Sequence, residues 1–218
     1  MNWWSVLLLL ALVGIGVGLF GPYLLPSEDQ RALQRLNEVL QIWAGVQDLE
    51  ARLTLRRPGE PALKIRLLYL TGLAVRLEIE EPEGLAGEVY ALRTISEGLL
   101  LVHYRPKLAL GLEARFPSED LAALIFEGNP SSTIKVSWPK EDVLRLRGLS
   151  APFSQADLYL AGEFQLPHRI LATSPDGVIT ELEVEELQVN GGLELRDLLL
   201  LEPLPTRWIQ IPVPQDGA

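Results

Sequence analysis

Residues 49–80 read LEARLTLRRPGEPALKIRLLYLTGLAVRLEIE, and they decide the fold. Leu49, Ala51, Leu53 and Leu55 alternate with Glu50, Arg52, Thr54 and Arg56. Successive side chains of a strand point to opposite faces, so this period of two describes a half-buried strand. Pro58-Gly59-Glu60-Pro61 turns the chain, and Leu63, Ile65, Leu67 and Tyr69 then alternate with Lys64 and Arg66 as far as Thr71-Gly72. A third run sets Leu73, Val75, Leu77 and Ile79 against Arg76, Glu78 and Glu80, and Pro82 stops it. Three such runs in succession predict an antiparallel meander with one apolar and one charged face.

Towards the C-terminus the pattern continues. Residues 88–95 and 99–104 flank Ser96-Glu97-Gly98 as a hairpin, and residues 107–116 read as a further strand. Pro117-Ser118-Glu119-Asp120 opens a short helix with Leu121, Leu124, Ile125 and Phe126 in it, closed by Gly128-Asn129-Pro130. Ile134, Val136 and Trp138 alternate, and residues 142–149 are weakly patterned. Residues 156–165, 168–174, 179–190 and 194–201 are strand candidates separated by turn residues. Pro203, Pro205, Pro212 and Pro214 predict an extended tail that does not pair along its length.

Towards the N-terminus, Ser27 and Gln30 form a capping box, so a helix is expected over residues 27–44. Leu33, Leu36, Leu40 and Trp43 make its apolar stripe. Before it, residues 3–25 run 23 positions without a charge, enough to cross about 30 Å of hydrocarbon. A cleaved signal peptide and a retained anchor are both open; the length, the poor cleavage site and the aromatic Trp3, Trp4 and Tyr23 near the ends favour the anchor. Either places the rest of the chain outside the cytoplasm, with anchoring to the inner membrane as the expectation. Domain boundaries follow: 1–26 targeting or anchoring segment, 27–205 one β domain, 206–218 tail.

The fold class is α+β, mainly antiparallel β: a curved, open half-barrel sheet with helices covering its concave face. All 29 acidic and 19 basic residues lie downstream of the apolar stretch, giving a net charge of −10. That charge repels phosphate backbones and argues against nucleic-acid partners. The chain has no cysteine, hence no disulfide, thiolate metal site or lipidated cysteine.

The order of elements resembles the LolA/LolB-like lipoprotein-carrier family. The residues that carry the likeness are Arg76-Leu77-Glu78 with Pro82, then Gly98 to Pro106 with Tyr104, then Leu158-Tyr159-Leu160, Leu166-Pro167-His168-Arg169-Ile170, Asp176-Gly177 and Asn190. The resemblance implies a carrier for acyl chains of lipids or lipoproteins, received from an inner-membrane ABC transporter and passed towards the outer membrane. The chain departs from the lipidated receptor in lacking an acylated cysteine, and from the soluble carrier if its anchor is retained. An RseB/MucB-like envelope sensor or an LptC-like bridge is the alternative.

Strand alternation nominates the cavity lining: Leu53, Leu55, Leu63, Ile65, Leu67, Val75, Leu77, Ile79, Leu101 and Leu110, with Trp43 from the helix. The same positions also fit an ordinary packed core. The residue 121–126 helix is the lid candidate. Chemistry is sparse: His103 and His168 have no ligand spacing, there is no G-x-S-x-G, and no glycine-rich phosphate loop follows a strand. Glu80-Glu81 and Glu183-Glu185-Glu186 read as outward, solvated positions. A non-enzymatic binding protein without cofactor or metal is the expectation.

Overall fold

The computed structural model describes residues 24–26, 30–96, 98–116, 134–149, 153–199, 201 and 205–211. The expected helix at 117–130 and the apolar stretch at 3–23 lie outside them. Among the described residues no helix is long and apolar enough to cross a membrane.

The meander is present. Strands β2 (Asp48–Arg56), β3 (Leu63–Leu70), β4 (Ala74–Glu81), β5 (Val89–Ile95), β6 (Gly98–Arg105) and β7 (Leu110–Phe116) pair antiparallel in chain order. A second meander follows: β8 (Ile134–Lys140), β9 (Val143–Arg147), β10 (Gln155–Ala161), β11 (Leu166–Thr173) and β12 (Ile179–Val189). β12 returns to pair antiparallel with β2, which fuses the two meanders into one sheet. β1 (Leu24–Pro26) adds parallel to β8 at one edge, and β13 (Arg207–Gln210) adds parallel to β7 at the other. The result is a 13-stranded sheet whose edge strands do not pair with each other, so it is open.

Its inner face carries one large buried cluster. Leu49, Leu53, Leu67 and Leu77 from the first meander meet Leu144, Leu158, Ile170 and Leu182 from the second. Register explains this: Leu53 stands opposite both Ile65 and Val184, and Leu158 opposite both Leu144 and Ile170, so apolar rows run across the strands. Helix α1 (Gln30–Trp43) drives Val39 and Trp43 into the same cluster. Of its expected stripe, the side chains of Leu33, Leu36 and Leu40 lie outside the described set. The Trp43 indole donates to the carbonyl of Gln165 at 2.9 Å, and Arg35 donates to the Gln165 side chain at 2.8 Å, which pins α1 to the β10–β11 turn.

The outer face is a lattice of cross-strand ion pairs. Arg66 meets Glu50, Lys64 meets Glu81, Arg52 meets Glu80 and Glu186, Arg56 meets Glu183, Arg169 meets Glu181, and Arg145 makes a two-pronged contact with Asp157 at 2.6 Å. The carboxylate runs at 80–81 and 183–186 are thereby accounted for: Glu185 accepts from Thr54, and the others face cations. Arg56 holds the Glu183 carboxyl below its usual range.

Three expectations need correction. Residues 107–116 are not one strand: Pro106–Leu108 is a 3-10 turn closed by Ala109 in the left-handed region, and pairing starts at Leu110. Residues 194–201 do not form a strand but helix α2 (Leu195–Leu199), in which Asp197 accepts from the Glu194 amide and Leu198 packs beside Leu68 and Ala74. Leu68 and Ala74 lie on the outer face, so α2 does not cover the inner one. The tail pairs after all between its proline pairs, where Trp208 stands opposite Gly111. The weakly patterned residues 142–149, to which the sequence assigned no element, contain strand β9.

Candidate functional site

Nine of the eleven nominated lining residues are brought together. Trp43, Leu53, Leu55, Leu63, Ile65, Leu67, Val75, Leu77 and Ile79 all belong to the main cluster, each less than a tenth exposed. They are packed against the second meander rather than facing open space. Leu101 and Leu110 behave differently. Both lie on the inner face, Leu101 opposite Leu92 and Ala114, and Leu110 opposite Arg105, yet both are only half-buried and stand outside the cluster. Leu92 and Leu112 share this face and this partial burial. The inner surface of β5–β7 is therefore mixed: Leu92, Leu101, Leu110 and Leu112 are half-buried, while Tyr90, Leu99 and Ala114 on the same face are buried. The lid candidates Leu121, Leu124, Ile125 and Phe126 lie outside the described residues.

Beside these half-buried leucines sits a polar cluster that sequence reading missed. Glu88, 6 % exposed, receives three partners. Its Oε1 accepts from Arg105 Nε at 3.1 Å, and its Oε2 lies 3.2 Å from the Tyr90 hydroxyl, which donates, and 3.1 Å from His103 Nε2. The Tyr90 and His103 rings stack at 4.1 Å. β5 and β6 position these groups, since Tyr90 and His103 are directly opposed in the register that begins with Ile95 opposite Gly98. That register is the signal a sequence reading could have used once the turn was fixed.

Burial pushes the His103 imidazole below its ordinary range, against the opposing pull of Glu88. Burial, and then the Glu88 charge, push the Tyr90 phenol up. At neutral pH the imidazole and the phenol are thus both neutral, beside the ion pair of Glu88 with Arg105. A charge-balanced group of this kind costs less to keep against an apolar surface than an unpaired ion would. It presents donors and acceptors beside the half-buried leucines. His168, the other histidine, is exposed and meets Tyr159 edge-on. Among the described residues no three His, Asp or Glu side chains group to hold a metal ion.

No protein-family model matches the sequence, and no curated protein matches it. Solved structures do resemble it. An uncharacterized conserved protein from Thermus thermophilus superposes with a TM-score of 0.56 at 17 % identity, covering 84 % of this chain and 98 % of its own. A domain described as an outer membrane lipoprotein-sorting protein, from Vibrio parahaemolyticus, gives 0.47 at 14 % identity over 78 % of this chain and 96 % of its own. A LolA superfamily protein from Nitrosomonas europaea gives 0.37 at 13 %, over 77 % and 94 %. The structural neighbours thus include LolA-superfamily and lipoprotein-sorting proteins, while the likeness of fold is carried by the Thermus thermophilus protein.

Proposed function

We propose that this protein is an extracytoplasmic carrier that binds acyl chains of lipids or lipoproteins against the inner face of its open sheet. The observation that supports the reading is the set of half-buried leucines, Leu92, Leu101, Leu110 and Leu112, on the inner face of β5–β7, beside the buried cluster and flanking the Glu88 group. Each methylene buried there contributes about 0.8 kcal/mol, so a long acyl chain binds without a dedicated polar contact. In this reading the uncharged stretch that leads into β1 is a retained anchor to the inner membrane, residues 121–126 serve as the lid, residues 27–205 are the carrier domain, and an inner-membrane ABC transporter is the donor. No step of the reading calls for catalysis or a cofactor.

The test is native mass spectrometry of residues 24–218, purified without detergent and shown to be folded by circular dichroism, before and after organic extraction. A discrete mass lost on extraction and identified as an acyl lipid supports the reading. An apo mass that takes up no added fatty-acyl probe overturns it in favour of an envelope sensor or bridge domain.

A further inference from the structure

We infer that the β1–β8–β9 edge of the sheet is a docking surface for an anionic lipid bilayer, with Lys135 and Arg147 against the headgroups. The inference rests on the anchor reading above and adds an orientation to it. Two independent observations carry it.

The first is the absence of slack. The uncharged stretch ends at Leu25, and Leu24 and Leu25 are already strand residues, paired with Ile134 and Lys135 of β8. An extended chain advances at most about 3.6 Å per residue. The N-terminal end of β8 is therefore within one or two residue lengths of the point where the apolar stretch stops, and the sheet cannot swing away from the membrane on a linker. Strand polarity fixes which end is near: β1 runs parallel to β8, so the apolar stretch approaches from the Ile134 side, and the Lys140 end points away.

The second is charge. On the outer face cations stand beside carboxylates of neighbouring strands, as with Arg145 and Asp157 or Lys64 and Glu81. Lys135 and Arg147 depart from this pattern, as Arg93 on β5 does, but of these three only Lys135 and Arg147 face each other across two strands. They are directly opposed in the β8–β9 register, both are exposed, and among the described residues neither has a carboxylate within ion-pair distance; Arg147 donates only to the neutral Gln155 side chain. Like charges directly opposite each other are destabilising in a sheet. In a chain of net charge −10, this uncompensated pair sits where the chain meets the bilayer, and lipid phosphates supply the missing counter-charge.

The experiment measures the rate at which a water-soluble acylating reagent modifies Lys135 in the full chain, read by mass spectrometry, with exposed Lys140 at the far end of β8 as the internal reference. The chain is compared in phosphatidylglycerol–phosphatidylcholine vesicles, in phosphatidylcholine vesicles, and in neutral detergent with and without inorganic phosphate. We expect Lys135, relative to Lys140, to slow by about fivefold in the anionic vesicles only, the factor for one cation held at such a surface. Arg147→Glu, an exposed substitution that gives Lys135 a protein partner, should abolish the dependence on anionic lipid. Equal Lys135 rates in anionic vesicles and detergent overturn the inference, and equal slowing by free phosphate replaces it with a simple anion site. If the full chain does not partition into vesicles at all, the anchor reading fails and this inference falls with it, while acyl binding is judged separately by the native-mass experiment.

Discussion

Asp48 and Asn190 hold the β2–β12 junction from both sides. The Asn190 side-chain oxygen accepts from the amides of Gln47 at 2.7 Å and Asp48 at 3.4 Å, while the Asp48 carboxylate accepts from the amides of Gly191 and Gly192 at 2.7 and 3.1 Å. Asn190 also adopts a φ of 55°, a left-handed conformation that asparagine tolerates better than most residues. Because this junction joins the two meanders, Asn190→Ala should lower stability by about 1–3 kcal/mol through lost hydrogen bonds and backbone strain. Urea unfolding followed by circular dichroism checks it; a change within measurement error would mean the junction is held by the strands alone.

Buried and half-buried leucines of the inner face should respond oppositely to substitution. Leu67, fully buried in the cluster, should cost about 2–5 kcal/mol as Leu67→Ala, the range for cavity creation in a core. Half-buried Leu101, mutated to Glu, should leave the unfolding free energy within about 1 kcal/mol of wild type while abolishing uptake of a fatty-acyl probe. Loss of folding in Leu101→Glu would show that β6 is core rather than binding surface.

Gly111 admits Trp208 only because it lacks a side chain. A Cβ at position 111 would lie 2.5 Å from the indole ring. Gly111→Val should therefore expel Trp208 and release β13 from β7. Trypsin cleavage after Arg207 should accelerate by about tenfold or more, with the sheet otherwise intact by circular dichroism. An unchanged cleavage rate would contradict the tail's pairing.

His103 makes stability depend on pH in a calculable direction. Burial lowers its folded pKa below the ordinary value of 6.5. Above 6.5 both states are neutral and the full stability is present; as pH falls from 6.5 through the lowered folded value, the unfolded chain gains the proton first and stability is lost. His103→Gln should flatten the fall in urea midpoint between neutral pH and about pH 5. An identical slope in both proteins would place the acid sensitivity elsewhere.

Most of the sheet was legible because its signal is local. Alternation at 49–56, 63–69 and 73–80 predicts three strands that appear within a residue or so of those limits, since a half-buried strand must alternate. What failed was non-local. Leu195, Leu198 and Leu199 fit a short helix as well as a strand, and the choice was made by packing of Leu198 on Leu68 and Ala74. The contact of Trp208 with Gly111 joins positions far apart in the chain, and nothing near either announces it. The Glu88 cluster depends on hairpin register, which composition does not reveal. Alternation placed the nominated residues on one face of the sheet, but it cannot tell a face packed by a second meander from a face left open.

The most direct test of the central claim is photocrosslinking of a diazirine-bearing fatty acid to the full chain, with adducts located by peptide mass spectrometry. The account predicts adducts concentrated on the inner-face positions of β5–β7, among them Leu92, Leu101, Leu110 and Leu112, and competed by unlabelled fatty acid. Adducts confined to the outer face or the N-terminal stretch, or none that competitor removes, would contradict it.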